Sequence, residues 1–257
     1  MHKMGKKGGR KHIKREAAPR FWPIRRKSFH WTVKPSPGPH PIERCIPLLI
    51  AVREMLGYAE TRREARRIIS EGKILVDGRV RRDERFPAGI MDVISIPELK
   101  LHYRVLPSKK GLRLHPIGEG EAEFKLCRIE GKSTVKGGHI QLNLHDGRNI
   151  LIRVEDPRNP EEDVYKTFDT LKIGFKGQEM LEHVPLKEGV YVMFTGGKNM
   201  GKYGNIVSID EEAGKKRERA LVTICDPRGE RYQTTLNYAF VVGEEKPLIS
   251  LPELEGS

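Results

Sequence analysis

Four arginines in one short stretch are the side chains best suited to bind an anion. Arg62, Arg63, Arg66 and Arg67 are spaced so that a helix would place them on an arc beside its apolar face. A guanidinium group stays charged and grips two phosphate oxygens with its planar fork of donors. The pattern predicts a surface that binds phosphate oxygens, and a merely solvated charged face is the alternative.

The stretch that must hold these arginines reads as a capped helix followed by a hairpin. Thr61 and Glu64 have the spacing of a capping box, and Gly72 suits the left-handed conformation that ends many helices. Residues 74–76 are aliphatic and predict a strand, and Asp77-Gly78 is a strong signal for a tight turn. A short helix docked on a hairpin would therefore present the arginines outward.

This order of parts resembles the alpha-L RNA-binding module of ribosomal proteins, tyrosyl-tRNA synthetases and pseudouridine synthases. In that family a small hydroxyl residue, an Arg, an Ala and a second Arg precede two aliphatic residues, a Gly and a hairpin turn. The matching positions are Thr61, Arg62, Ala65, Arg66, Ile68, Ile69, Gly72 and Asp77-Gly78. The resemblance implies RNA binding by this face, to which we add Arg63, Arg67 and Lys73.

A second candidate for chemistry is a glycine-rich stretch late in the chain. The run from Gly196 through Gly201 to Lys202 matches most of a phosphate-binding P-loop. Tyr203, however, stands where a Ser or Thr hydroxyl would hold magnesium, and the residues that follow predict a strand. Because a P-loop needs a helix N-terminus to meet the phosphate, we expect no nucleotide hydrolysis here.

Metal binding is a weaker possibility. His139, His145 and Asp146 could suggest a metal site, but their place beside a tight turn favours turn chemistry and surface exposure. The three cysteines are far apart and form no C-x-x-C pair, which argues against zinc or a disulfide framework and favours a reducing compartment. We therefore predict no catalytic residue, no metal and no cofactor.

Charge is concentrated at the N-terminus. The 257-residue chain carries a net charge of +13, and 12 of its 48 Lys and Arg lie in residues 1–40 beside a single acid, Glu16. The remainder is nearly neutral, so the sequence predicts a folded body with a cationic arm and a polyanionic partner. No apolar run approaches the roughly 20 residues that span a bilayer, so we expect no membrane association.

The arm, residues 1–41, also holds four aromatic residues, at positions 21, 22, 29 and 31. Rings interleaved with cations predict an arm that folds along RNA, and a disordered solubilising tail is the alternative. Self-repulsion predicts disorder of residues 1–35 in the free protein. The predicted RNA contacts are Lys6, Lys7, Arg10, Lys11, Lys14, Arg15, Trp22, Arg25, Arg26 and Lys27.

The sequence that follows the arm predicts a multidomain α+β fold. Apolar residues at helical spacing predict a helix from Ile46 to Leu56, with Pro47 in its first turn and Gly57 at its end, whereas Pro87 to Gly89 predict a loop. Alternating residues after Leu106 predict a mostly-β segment. The expected units are the arm (1–41), the alpha-L module (42–106), a central mostly-β domain (107–184), a barrel (185–246) and a tail (247–257).

The barrel is predicted from five short strands in about 55 residues. The run from Val190 to Ile209 resembles the KOW motif, which folds as an SH3-like barrel. Lys198, Asn199 and Lys202 in its glycine-rich loop suit RNA phosphate and sugar. A tight turn with incidental lysines is the alternative.

Nearly the whole chain resembles one family, the e-type small-subunit ribosomal protein four of archaea and eukaryotes. The segments that carry the likeness, in the same order, are residues 34–40, 86–96, 125–127, 195–201 and 246–252. The resemblance implies a non-catalytic constituent of the cytoplasmic small subunit, with small-subunit rRNA and neighbouring ribosomal proteins as partners and no small-molecule substrate. The chain ends soon after Pro252, without the basic tail of eukaryotic members, which together with 32% charged residues favours an archaeal source.

Two other classes share the alpha-L module. A pseudouridine synthase would need a larger domain with a catalytic Asp, and a tRNA synthetase would need ATP-binding signatures, and neither is found. A free RNA-binding regulator or a ribosome-associated quality-control factor stays open from motifs alone. The full-length resemblance favours the stable subunit protein.

Overall fold

The computed structural model describes residues 12–156, 161–210 and 217–252. Within these ranges, the larger part of the secondary structure is three five-stranded antiparallel sheets. The predicted RNA ligands Lys6, Lys7, Arg10 and Lys11 lie outside the described residues.

The N-terminal region, residues 12–41, packs on the body instead of extending from it. Its strands β1 (Ile13–Lys14) and β2 (Trp31–Thr32) pair antiparallel, and Trp22 and Ile24 are buried in the core. The prediction of disorder is therefore wrong for residues 12–35. The cost of burying this segment is offset because Trp22 enters the core, Phe21 packs against it, and the arginines bond to carbonyls of the same segment.

The first helix begins later than predicted. Strand β3 (Cys45–Pro47) pairs with β6 (Pro87–Gly89), and α1 (Leu48–Ile50) continues as one π-helical turn over Ala51–Met55. Pro47 keeps Ile46 extended, because a residue before proline is disfavoured in the helical region. The prediction that Pro87 to Gly89 form a loop is likewise wrong, since this segment is the partner of β3.

The arginine helix, α2 (Arg62–Ser70), forms as predicted. Thr61 Oγ1 accepts a hydrogen bond from the Glu64 amide at 3.3 Å, and the Glu64 carboxylate accepts one from the Thr61 amide at 3.3 Å. Gly72 follows the helix with φ +81°. Asp77 and Gly78 both have positive φ, as a tight hairpin turn requires. The capping box and the turn are confirmed.

The first sheet has the order β5-β4-β7-β8-β9. Its strands are β4 (Leu75–Val76), β5 (Arg79–Val80), β7 (Val93–Ile96), β8 (Leu101–Ser108) and β9 (Gly111–Ile117). The expected boundary at residue 106 falls inside β8, so the hairpin of β8 and β9 belongs to this sheet. No Asn-Gly or Asp-Gly marks its tip, which left the hairpin unpredicted.

The second and third sheets follow in order. The second, β12-β11-β10-β13-β14, comprises β10 (Phe124–Thr134), β11 (Ile140–Leu144), β12 (Asn149–Ile152), β13 (Thr170–Gly174) and β14 (Met180–Val184). The third, β18-β17-β16-β15-β19, comprises β15 (Tyr191–Phe194), β16 (Tyr203–Asp210), β17 (Leu221–Cys225), β18 (Arg231–Thr235) and β19 (Ala239–Gly243). The five strands predicted for the third unit are confirmed.

One hydrophobic cluster joins regions far apart in sequence. Trp22, Leu49, Leu126, Phe240 and Ile249 all belong to it, so the N-terminal region, the first sheet and parts of the other two share a core. Of two smaller clusters, one lies in the second sheet and its connections, and the other joins the third sheet to Phe168 and Val184. This shared core fixes where α2 lies relative to the rest of the described chain.

Candidate nucleic-acid interface

The four arginines of α2 are exposed, but their surroundings differ. Arg62 pairs with Glu84 at 2.6 Å and Arg67 with Glu71 at 2.9 Å. Arg63 and Arg66 make no ion pair with any residue that the structure describes. Exposed pairs are weak and exchange readily, so all four groups remain able to bind an anion.

Lys73 follows the helix and is half-buried. It lies 3.2 Å from Glu71 and 3.9 Å from Glu98, so two carboxylates already share its charge. Its role as an RNA ligand stays a prediction. The arginine surface, defined as Arg62, Arg63, Arg66 and Arg67, is the more open cationic site.

The N-terminal region enlarges this site. The Ser36 amide donates to the Arg85 carbonyl at 2.9 Å, and the Ser36 hydroxyl bonds to Asp83 at 2.9 Å, which docks the segment after β2 beside α2. Between them lies a cleft of about 310 Å³. We call it the β2–α2 cleft, and its lining residues are His12, Trp31, Thr32, Val33, Lys34, Arg62 and Arg85.

Arg85 and Trp31 were absent from the predicted binding set. No sequence signal marked Arg85 beyond its charge. Trp31 is one of the aromatic residues that the sequence places among cations, but its presence in the same cleft as Arg62 depends on long-range packing of the N-terminal region.

Three predicted ligands from the N-terminal region have internal roles instead. The Trp22 ring is 2% exposed and its Nε1 donates to the Cys45 carbonyl at 2.8 Å, so it cannot stack on RNA. Buried Arg15 donates to the Arg25 carbonyl at 2.7 Å. Arg26 donates to four carbonyls, those of Arg15, Glu16, Ala18 and Pro19, at 2.8–3.3 Å. The expectation that these three face RNA is corrected.

The other predicted ligands that are described in this region, Lys14, Arg25 and Lys27, are exposed as a ligand must be. They sit on the same folded segment as the β2–α2 cleft. Their RNA contacts stay predictions.

The glycine-rich loop between β15 and β16 packs closely against neighbouring segments and also carries two lysines. Gly201 has φ +85°, and a Cβ there would lie 2.8 Å from the Ser108 Cα at the tip of the β8–β9 hairpin. A Cβ at Gly196 would lie 2.5 Å from the Tyr238 ring. Strand β16 follows the loop directly, so the helix that a P-loop requires is not there.

The polar residues of this loop differ in availability. Lys198 is exposed. Lys202 lies over the Tyr232 ring at 4.8 Å, and the Asn199 amide donates to the Gln233 carbonyl at 3.0 Å. Lys198 is therefore the most accessible of the three predicted ligands, and Asn199 is partly committed to the fold.

A buried ionic cluster lies where the first and second sheets meet. Lys125 is fully buried, and its Nζ lies 3.1 Å from Asp77 and 3.0 Å from Asp146, with Asp92 also in contact. Arg148 reaches Asp77 at 2.7 Å and Asp146 at 3.1 Å. We call these five residues the junction cluster.

The junction cluster also holds the N-terminal region, through His40, whose Nε2 lies 3.1 Å from Asp92. Asp77 and Asp92 belong to the first sheet's segment, whereas Lys125, Asp146 and Arg148 belong to the second's. Sequence reasoning missed the cluster. The available signal was a lysine within the apolar run of β10.

Neighbouring opposite charges shift the pKa values of Asp92, Asp146 and Lys125 in the junction cluster. Burial raises the pKa of Asp146, but Lys125, His145 and Arg148 outweigh it and lower that pKa to about 2. Burial likewise opposes ionisation of Asp92, whose pKa Lys125 and His40 bring well below the usual range. Burial lowers the pKa of Lys125, but Asp77 and Asp92 raise it well above its usual value. Lys125, Asp92 and Asp146 are therefore charged at neutral pH.

Beside this cluster, Cys127, His145 and Asp146 place three potential metal ligands within 4.8 Å of one another. His145 Nδ1 accepts from the Arg128 amide at 3.2 Å, and Nε2 lies 3.2 Å from the Ile90 carbonyl. Burial raises the pKa of the Cys127 thiol well above its ordinary value, and Asp146 already binds Lys125. The set is committed to packing and hydrogen bonds, which does not fit a metal.

Comparison with known proteins accounts for most of the chain. The RS4NT (NUC023) domain matches residues 7–43, the S4 domain matches residues 49–94 and Ribosomal family S4e matches residues 99–180. Small ribosomal subunit protein eS4 of Desulfurococcus amylolyticus is 58% identical over 97% of this chain and 99% of its own. The chain belongs to the ribosomal S4e family.

Other S4e proteins extend the comparison. The Staphylothermus marinus protein is 57% identical over the same shares of both chains, and that of Methanocaldococcus jannaschii is 49% identical over 96% of this chain and 100% of its own. The crystal structure of the 30S ribosomal protein S4e from Thermoplasma acidophilum has a TM-score of 0.64 and 27% identity, covering 78% of this chain and 96% of that one.

The S4 match coincides with α2 and its hairpin, so the predicted alpha-L module is confirmed within a mostly-β chain. None of the helices in the described part of this S4e protein is long and apolar enough to cross a membrane.

Proposed function

We propose that this S4e protein is a structural constituent of the small ribosomal subunit that binds small-subunit rRNA and supports assembly and translation without catalysis. The arginine surface carries the proposal, because Arg63 and Arg66 are exposed and unpaired among the described residues on the helix of an S4 domain. Phosphates would displace water from these guanidinium groups and release counterions, which favours binding.

The interface would extend beyond α2. The β2–α2 cleft adds Lys34 and Arg85, and the exposed Lys14, Arg25 and Lys27 continue the positive charge onto the N-terminal region. Phosphate contacts of this kind position a protein on RNA without reading sequence. Neighbouring small-subunit proteins would contact other faces, and the cytoplasmic small subunit would be its location.

The third sheet would be the SH3-like barrel of the KOW type. Five short antiparallel strands in the order β18-β17-β16-β15-β19 and the glycine-rich loop between β15 and β16 support this assignment. The proposed layout is then an N-terminal RNA-binding region, an S4 module that extends to Ile117, a central β-domain, the barrel and a tail.

Sedimentation tests the structural role. A tagged copy should co-sediment with small subunits through a high-salt sucrose gradient, because a constituent is held by many contacts at once. As a control, the Lys176→Gln variant removes an exposed cation of the second sheet and should co-sediment equally. Release of the wild-type protein by the high-salt wash would instead identify a loosely bound factor.

A further inference from the structure

We propose that the β2–α2 cleft holds one unpaired nucleotide of an RNA strand. Its base stacks on Trp31, and the phosphates on its two sides contact Arg62 and Arg85. This inference rests on the proposed function and deepens it, because it assigns a single-stranded element of the RNA to a particular cleft. The exposure of Trp31, the positive charge of the cleft and its size support this assignment.

Trp31 is held in place yet left open. Its residue pairs with Lys14 across the β1–β2 ladder, and its carbonyl accepts a hydrogen bond from Arg15 Nε at 3.2 Å. The ring meets His30 edge-on at 4.4 Å between centroids and lies 5.6 Å from His12, but its residue remains 54% exposed. Because the ring is already held in place, a base that stacks on it costs the side chain little further conformational entropy.

The other tryptophan, Trp22, is buried and serves packing instead. Trp22 is 2% exposed and its indole N–H is bonded to the Cys45 carbonyl. These are the two tryptophans of the chain. The N-terminal region therefore buries one ring in the core and leaves the other at a cationic cleft.

The charge of the cleft fits a nucleotide. Lys34, Arg62 and Arg85 line it, and among the described lining residues none is acidic. A nucleotide combines a flat apolar face with an anionic backbone, so a ring beside guanidinium groups satisfies both parts. Proteins that bind single strands use this pairing of aromatic platforms and positive grooves.

The size of the cleft selects an unpaired nucleotide over a duplex. Its volume of about 310 Å³ lies at the lower end of the range for small-ligand sites, roughly 300–1,000 Å³. Bases inside an A-form helix are stacked on each other and cannot meet a protein ring, whereas bases in loops and bulges can. The cleft would therefore clamp a loop or bulge while the arginine surface holds the adjoining backbone.

Tryptophan fluorescence tests the stacking directly in the full-length protein. Binding of the protein-free small-subunit rRNA of Desulfurococcus amylolyticus should quench the Trp31 emission and leave the Trp22 emission as an unquenched background. Trp31→Phe should abolish the quenching while RNA affinity, followed by filter binding, stays close to wild type. Trp31→Ala should weaken binding about tenfold, since stacking on an aromatic side chain contributes on the order of 10-fold or more per base.

The matched control is Phe29→Ala. Phe29 is 71% exposed on the same segment but does not line the cleft, so its loss should leave both quenching and affinity unchanged. Comparable losses with Trp31→Ala and Phe29→Ala would overturn the assignment to the cleft. Retained Trp22 emission in each variant verifies folding.

Two defined RNAs then separate stacking from phosphate binding. A single-stranded oligouridine should quench Trp31, and a fully paired RNA duplex with the same number of phosphates should not. Equal quenching by the duplex, or rRNA binding without any Trp31 quenching, would overturn the nucleotide cleft while leaving rRNA binding intact. Failure to bind rRNA at all would instead defeat the proposed function.

Discussion

The arginine surface and the junction cluster use the same kind of side chain in opposite environments. Arg63 and Arg66 are exposed and have no carboxylate partner among the described residues, whereas Lys125 is fully buried among Asp77, Asp92 and Asp146. A buried charge is tolerated only with partners, so it is committed to the fold. An exposed one can exchange water for a phosphate, so it is available for binding.

The two regions also depend on each other. The junction cluster joins the first sheet, the second sheet and the N-terminal region through His40, and so helps to fix the frame that carries α2. We therefore expect changes in the cluster to alter stability before binding. Changes in the arginine surface should alter binding without altering stability.

The largest effect is expected from Lys125→Met. The substitution keeps the apolar stem but leaves three carboxylates buried without their main cation, so the free energy of unfolding should fall by about 3–5 kcal/mol. Urea unfolding measures it. The control Lys176→Met removes a lysine whose side chain is 93% exposed and should not shift the midpoint. Equal stability of both variants would show that the cluster does not hold the sheets.

A pH dependence is expected from His145. Burial, with a smaller contribution from Lys125, lowers the pKa of His145 to about 3, against about 6.5 in an unfolded chain. Between these values the unfolded chain binds a proton that the folded chain does not. Stability should therefore fall as the pH drops below 6.5, by about 2 kcal/mol between pH 7 and pH 5.

The variant His145→Gln should lose this part of the slope, and His30→Gln, which changes an exposed histidine, should keep it. Urea midpoints at pH 7, 6 and 5 provide the comparison. An identical slope in wild type and His145→Gln would refute the assignment.

A smaller loss is expected in the glycine-rich loop. Gly201→Ala forces a side chain onto a backbone with φ +85° and brings its Cβ within 2.8 Å of Ser108, so stability should fall by about 1–2 kcal/mol. Gly229→Ala is the matched control, because Gly229 has the same φ but no atom within 4 Å of its Cβ. The difference between the two thermal midpoints isolates the contact with the β8–β9 hairpin. No difference would mean that this contact is not needed.

Features that depend on residues close together in the sequence were predicted correctly. The capping box at Thr61 and the turn at Asp77-Gly78 depend on residues a few positions apart, and both formed as predicted. The third-sheet strands were predicted from alternating residues and turn signals. The pairing of β3 with β6 was not, because it joins segments about 40 residues apart that contain prolines.

The candidate site divides in the same way. The arginine surface follows from helical spacing alone. The junction cluster could not be predicted, because it forms only when β10 brings Lys125 against carboxylates 21 to 48 residues away, as the pairs with Asp146 and Asp77 show. The internal roles of Arg15 and Trp22 could not be predicted, because a charged or aromatic residue type does not show whether the side chain faces RNA or the core.

The salt dependence of rRNA binding tests the central claim most directly. In the double variant Arg63→Gln/Arg66→Gln, the slope of log K against log salt concentration should fall by about 1.5–2 units, and urea unfolding should be unchanged. The control Lys176→Gln/Lys187→Gln removes two exposed cations of other segments and should keep the wild-type slope. A wild-type slope and affinity in the arginine variant would contradict the account.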